Sequence, residues 1–371
     1  MPVDLAWAER NLGIDYDAPK VALGAAPNDG DLQRELIEFD SDARAGEAFR
    51  SVAPAAPGGL VNFVEIPWPD GLAPRVGRKP RGESLPKADV LIVTWTVDEG
   101  HALSRVLTPG RDSHDDWKPY TKNFDTISQL MVPESPARQF GRLGTYWTTR
   151  IGERKVTLFK SDSHLSQDGP KLANAVVWKQ IIEDVKPKWV ITTGTGGGIG
   201  TEGEVGDVIV SRFITFDCQR NFVQFNGDSY ASPADAPSSQ FEQATELFSC
   251  NAQFLPKDNT RPPKIVTATE PTNGVITTDF FGFDTSDGHY GLQGKGDLSE
   301  MGDAVLGMVC KELGASAPAY SIVRNVSDPQ IASNGLPINR QAQLAADIYK
   351  AYGRWSTVCS AIACWAIVAA L

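Results

Sequence analysis

Histidine is scarce in this 371-residue sequence, and its four copies, His101, His114, His164 and His289, stand far apart with no HExxH or similar spacing. A side-chain metal site needs such ligand spacing, so no metal and no cofactor are expected. Cysteine is also sparse. Cys218, Cys250, Cys310, Cys359 and Cys364 are odd in number and include no CxxC pair. That excludes a disulfide framework and suits reduced thiols in a cytoplasmic protein. Clustered cationic charge is missing too, and the formal net charge of −11 speaks against a nucleic-acid partner, which would need Lys and Arg along a phosphate backbone. The N-terminus has no basic stretch leading into an apolar one, so no secretory leader is expected. The most apolar run, residues 360–371 (SAIACWAIVAAL), falls short of the ~20 residues that cross a bilayer. A buried C-terminal helix and no membrane partner are the expectation.

What is present is the composition of a globular chain. Hydrophobic residues make up 41% and charged residues 22%, enough to bury a large core. Residues 1–86 are rich in turn formers (GAAPNDGD, APAAPGG, RKPRGESLP), with room for one helix in LQRELIEFDSDARAGEAFRSV. They read as an N-terminal extension packed on the core. Residues 87–371 read as one α/β domain. ADVLIVTW is an apolar run suited to a strand covered on both faces, and DEGHALSRVL follows as a helix. TYWTTRIG and KVTLFKS form a strand pair, and LANAVVWKQIIEDV has amphipathic helical spacing. KPKWVITTG and EVGDVIVSRFITF are strands, SEMGDAVLGMVCKELG a helix, APAYSIVRNVSD the last strand. Residues 339–371 close the chain as helix, with a break expected at Gly353. The fold class predicted is a central mixed, twisted β-sheet flanked by helices.

TGTGGGIGTEGEVGD contains a literal GxGxxG at Gly198, Gly200 and Gly203. A dinucleotide site needs a helix directly after these glycines, and the β-branched run that follows reads as strand. The turn remains either a tight connection or a place where Thr195, Gly196 and Gly197 bring bare backbone to a ligand.

Taken together, these blocks resemble the purine nucleoside phosphorylase / methylthioadenosine–adenosylhomocysteine nucleosidase superfamily. KPKWVITTGTGGGI with EVGDVIV resembles its glycine-rich turn, GVITTDFF its base-binding segment, and SEMGDAVLGMVCKELG its ribose-binding helix. SIVRNVSD resembles its strand ending in Ser-Asp, and LIVTWTVDEGHAL its first strand and carboxylate-bearing helix. The resemblance implies a fold like that of the nucleoside phosphorylases and cleavage of a purine N-glycosidic bond. It implies Asp328 as the acid that protonates the leaving base, oriented by Ser327, and Glu99 as the group that activates water. It also implies Phe281 stacked on the base, Gly282 reading the base edge, Thr195, Gly196 and Gly197 facing the sugar, Met301 under the ribose, and Arg324 beside the acid. Each has a bland alternative: Asp328 precedes Pro329 and could cap a turn, Glu99 could favour a helix N-terminus, and Phe281 and Met301 could be core. Arg324 could be a structural ion-pair partner.

One departure concerns the sugar. The superfamily reads Glu-Met-Glu where this chain has Glu300-Met301-Gly302, so glycine takes the place of the ribose-clamping carboxylate, with Asp303 or Glu300 as candidate substitutes. The arginines that hold phosphate in the phosphorylases are also missing, with Thr192 at one such position. Hydrolysis of a purine nucleoside or nucleotide is therefore the leading expectation, ahead of phosphorolysis and of non-catalytic nucleoside binding. A homo-oligomer is expected by the same resemblance.

Overall fold

The computed structural model describes residues 2–14 and 65–371. The helix expected in residues 32–52, and most of the expected 1–86 extension, lie outside the described residues. Helix α1 (Leu5–Leu12) starts with Asp4 capping the amide of Trp7 and stops at Gly13 in the left-handed region. After it come β1 (Arg75–Val76), β2 (Val90–Thr94), α2 (Val97–Leu107), β3 (Lys118–Tyr120) and the hairpin β4 (Gly144–Ile151) with β5 (Arg154–Ser161). Then follow α3 (Ala173–Val185), β6 (Trp189–Gly198), β7 (Val208–Ser211), β8 (Phe213–Phe216), β9 (Ser229–Ala231), β10 (Ile265–Thr267), β11 (Val275–Thr277) and β12 (Leu298–Glu300). Helix α4 (Ala304–Leu313), β13 (Ala319–Asp328) and α5 (Ile338–Ala370) complete the order.

Thirteen strands among the described residues join in one sheet, running β1-β4-β5-β2-β6-β12-β11-β8-β9, with β13 lying against β6 and β7. Pairings of both senses occur, so the sheet is mixed, as the sequence predicts. The strands that matter for a site are parallel: β2 pairs with β5 and β6, and β13 with β6. Their carboxyl ends therefore open on one edge, where open α/β sheets bind ligands. Every residue of β2 is buried, in keeping with its unbroken apolar run.

Two elements differ from the sequence expectation. SEMGD is not helical from its start: Leu298–Glu300 is a strand between β11 and β6, and the helix begins at Ala304. The last helix is not broken at Gly353. It runs unbroken for 33 residues, because Tyr349 packs where a side chain at 353 would sit, 3.2 Å from an added Cβ. Burial outweighs the roughly 1 kcal/mol that glycine costs a helix. By length and composition α5 could cross a membrane, yet 78% of its most apolar stretch is buried inside the fold.

Helix α5 packs on β13, α2 and β6. Asn325 of β13 fixes its position, donating to Ser356 Oγ at 2.7 Å and accepting from Ser360 Oγ at 2.8 Å. Trp365 is fully buried, donates from Nε1 to the carbonyl of Leu72 at 2.7 Å, and lies 4.8 Å from Trp68 ring to ring. Replacing Trp365 by Ala should cost about 3–5 kcal/mol of stability through the cavity it leaves. Urea unfolding measures this, and a loss under 1 kcal/mol would contradict the packing described.

Candidate active site

The cavity opens at the carboxyl ends of β2, β5, β6 and β13. Thr96 begins α2, and its hydroxyl accepts from the amide of Glu99 at 3.2 Å while Glu99 Oε2 accepts from the amide of Thr96 at 3.0 Å. This reciprocal cap turns the Glu99 carboxylate back toward the sheet. Oε2 also accepts from Thr94 Oγ1 at 2.9 Å and the Trp95 amide at 3.0 Å. Oε1 accepts from the amide and hydroxyl of Thr195 at 2.8 and 2.9 Å. Burial alone would raise the pKa of Glu99, but Arg324 and the amides of Thr96, Thr195 and Trp95 outweigh it and hold the carboxyl below its usual value. Gly194 is obligatory beside it: its φ is +150°, and any Cβ there would collide with the Glu99 carboxylate.

Arg324 rises from β13 to the same place. Its Nε and Nη2 grip both oxygens of Asp303, at 2.8 and 2.7 Å, in a bidentate pair. Nη2 reaches Glu300 at 3.3 Å, and Nη1 lies 3.5 Å from Glu99 and donates to the Thr195 carbonyl at 3.3 Å. The guanidinium also stands 4.9 Å from the ring centre of Trp95. Burial and the neighbouring Asp303 charge raise the pKa of Glu300 well above the usual carboxylate range. Glu300 receives the Asp303 amide and the Thr277 hydroxyl.

Asp328 ends β13. The register pairs Val326 with Gly196 and Asp328 with Gly197, so the chain bulges at Ser327 and re-aims the carboxyl. Oδ1 accepts from Ser327 Oγ at 2.7 Å, and Ser327 also donates to the Gly196 carbonyl at 3.2 Å. Oδ2 is buried with no hydrogen-bond partner among the described residues. Burial pushes the Asp328 pKa up to about 7, against the lowering effect of Ser327. A Cβ added to Gly197 would stand 3.0 Å from Oδ2, so bare backbone faces the acid. Glu99 touches β6 at Gly194 and Asp328 at Gly197, roughly 10 Å apart along the strand at ~3.3 Å per residue.

Of the residues singled out from sequence, Glu99, Thr195, Gly196, Gly197, Phe281, Gly282, Met301, Arg324, Ser327 and Asp328 line this cavity. Asp303 does not. It is fully buried behind the wall with both oxygens on Arg324, because it precedes a helix that starts later than expected. As a stand-in for the ribose clamp, Asp303 is therefore corrected. At Gly302 an added Cβ would meet only Leu165, at 4.0 Å, so the place of that clamp is open space. Arg105 and Arg212, the nearest arginines in sequence to the motifs where the phosphorylases hold phosphate, do not line the cavity. Sequence reasoning missed Trp95, Lys160, Asp162, His164, Gln167 and Tyr349, which are. The polar run KSDSH at the end of an apolar strand was a usable signal for three of them. Burial pushes the His164 pKa down to about 4, so the ring is neutral, and Nδ1 is paired with Ser166 Oγ at 2.8 Å. No group of three or more His, Cys, Asp or Glu suited to a metal ion gathers among the described residues.

Residues 122–354, well over half of the chain, match the Phosphorylase superfamily. The chain belongs to this superfamily. Solved structures similar to it include the 5′-methylthioadenosine/S-adenosylhomocysteine nucleosidase of Neisseria meningitidis in complex with methylthio-immucillin-A. That likeness has 17% identity and a TM-score of 0.46, and covers 76% of this chain and 100% of the other. Another is the futalosine hydrolase of Helicobacter pylori, at 13% identity and a TM-score of 0.44, covering 77% of this chain and 99% of the other. No curated protein matches the chain.

The buried acids give a test of this geometry. Asp328 and Glu300 hold protons in the folded state that they release when unfolded, because their folded pKa values are raised. Their stabilising contribution is full below about pH 4 and is lost as pH rises through the folded values. The melting temperature should therefore fall between pH 6.5 and 8.5 at constant ionic strength. A rise across that window in scanning calorimetry would show that these carboxyls are not buried as described.

Proposed function

We propose that this protein hydrolyses the N-glycosidic bond of a purine nucleoside or nucleotide, with adenine as the base to test first, and releases the free base.

 The observation that carries this reading is the Asp328 carboxyl: on the cavity wall, buried, poised near neutrality, with one oxygen without a partner among the described residues. A group of that kind is suited to deliver a proton to a leaving purine. Loss of the base leaves positive charge on the sugar, and cleavage by paired carboxyl groups needs a second one for the nucleophile. Glu99 supports that role. It is anionic and lines the same cavity.

Glu99 does not act as a free base in the arrangement described. A carboxylate offers about four lone-pair sites, and five donors already occupy Glu99. The Thr195 hydroxyl is the donor best able to give way: the amides are fixed by the backbone, and the other hydroxyl, Thr94, is fully buried away from the cavity wall that Thr195 lines. In our reading an attacking water takes its place on Oε1. Phe281 offers a ring and Gly282 backbone groups for the base, and Met301 an apolar surface for the sugar. All five cysteines are free thiols, which supports a reducing, cytoplasmic setting as part of the proposal.

Asp328→Asn removes the proton but keeps the shape, and base release from adenosine should fall at least ~100-fold. Near-normal turnover would remove Asp328 as the acid. The pH profile gives an independent check. The acid must be protonated, so kcat/KM should hold steady below about pH 6.5 and decline above about pH 7, where Asp328 ionises. Activity that rises from pH 6 to 9 would contradict the assignment. Base release in phosphate-free buffer separates water from phosphate as the nucleophile.

A further inference from the structure

Among the described residues two cations reach the cavity wall, Arg324 and Lys160, and they differ in what they have left to offer. All three guanidinium nitrogens of Arg324 are engaged with Asp303, Glu300 and the Thr195 carbonyl. Lys160 stands near the carboxyl end of β5 and is 7% exposed. Its Nζ meets Asp162 Oδ1 at 2.5 Å, while Asp162 Oδ2 accepts from Arg142 Nε at 2.7 Å. One carboxylate thus serves two cations on this side of the cavity. An ammonium has three N–H donors, and Asp162 engages one. The lysine stem is also given its path by a neighbour: a Cβ at Gly100 of α2 would lie 3.1 Å from Lys160 Cγ.

Building on the N-glycosidase reading, we propose that Lys160, held in place by Asp162 and Arg142, binds a phosphoryl group of the substrate, which makes a purine nucleotide the preferred substrate class. Phosphate oxygens would take the remaining ammonium donors, a role that lysine fills as a compact point charge. The donors of Arg324 are taken by carboxylates and the Thr195 carbonyl, so the substrate is oriented with its anionic end toward Lys160 on β5. Inorganic phosphate has the same chemistry and is the other source of such a group.

The test compares base release from adenosine and adenosine 5′-monophosphate by the full-length protein, with and without inorganic phosphate. Wild type, Lys160→Met and Lys160→Arg are measured. The expected kcat/KM for the monophosphate exceeds that for adenosine by about 10- to 100-fold, the range of a charge-assisted hydrogen bond. Lys160→Met should bring that ratio toward one, and Lys160→Arg should keep part of it. Phosphate that competes with the monophosphate, or speeds adenosine cleavage, in wild type but not in Lys160→Met would also support the subsite, with free phosphate as its occupant. Equal ratios in wild type with no phosphate effect would overturn the proposal while leaving the N-glycosidase reading intact, and this result needs no variant to fold. A ratio that survives in a folded Lys160→Met would overturn it as well. If neither compound releases base, the enzymatic reading fails, and thermal shift then tests the subsite alone. Stabilisation by the monophosphate beyond that by adenosine, lost in Lys160→Met, supports it; equal shifts in wild type overturn it.

Discussion

Arg324 brings a full positive charge into the interior from the middle of β13, and much of the site is arranged to meet it. An unpaired buried cation would cost several kcal/mol. Asp303 answers with both oxygens, Glu300 with one, and Glu99 from across β6. These partners come from separate parts of the chain, at α2, β12 and the start of α4, so the ion cluster joins segments that sequence order keeps apart. Three carboxylates around one guanidinium are too many for charge balance, and the raised pKa of Glu300 relieves part of the excess. Glu99 stays ionised because backbone amides add to what Arg324 supplies. The charge state of the cavity wall is thus set largely by a residue whose own donors are already occupied.

Asp328 lies four residues further along the same strand and has the opposite environment. Among the described residues no cation meets it, and Ser327 is its one side-chain donor. Two carboxyl groups of one cavity are therefore driven apart in acidity by their surroundings, Glu99 downward and Asp328 upward. Environment divides acid from base in this way wherever two such groups share a site. The division depends on glycine at two places on β6. Gly194 admits the Glu99 carboxylate, and Gly197 leaves the space beside Asp328 free of side chain. The glycine-rich sequence is explained by these approaches, with strand rather than helix following it.

Much of this was legible in the sequence. Apolar runs such as VLIVT and WVITT specify buried strands by composition alone, and the order of blocks pointed to the superfamily. Glu99 was legible as a carboxylate at a helix start, although its burial against Thr195 was not, since that contact comes from a distant strand. The reading failed at Asp303, where local helical propensity suggested a helix through Ser299 and Glu300. Pairing with β6 and β11 overrode that preference. Gly353 misled in the opposite sense, because a glycine suggests a break and the packing of Tyr349 against it does not show in one dimension. Lys160 was not legible because the resemblance points to arginines at other positions, and a lone lysine near the end of a strand carries no signal of its own.

The open space at Gly302 and the charge at Lys160 bear on one question, how the sugar is held. A carboxylate clamp at 302 would add another negative charge beside a cluster that already holds Glu99, Asp303 and Glu300 around one arginine. With glycine there, no further carboxyl has to be neutralised, and the nearest contact is the apolar Leu165. Leu165 follows His164 in the segment that carries Lys160 and Asp162, so the wall that loses a clamp is continuous with the wall that gains a cation. Binding energy taken from a phosphoryl group at Lys160 can orient the sugar from its end, where a hydroxyl clamp would orient it from its face. Remote binding of that kind contributes to catalysis when it positions the reacting bond between acid and nucleophile. A substrate held in this way would depend less on its ribose hydroxyls, in keeping with a wall that carries glycine and not a carboxylate at 302.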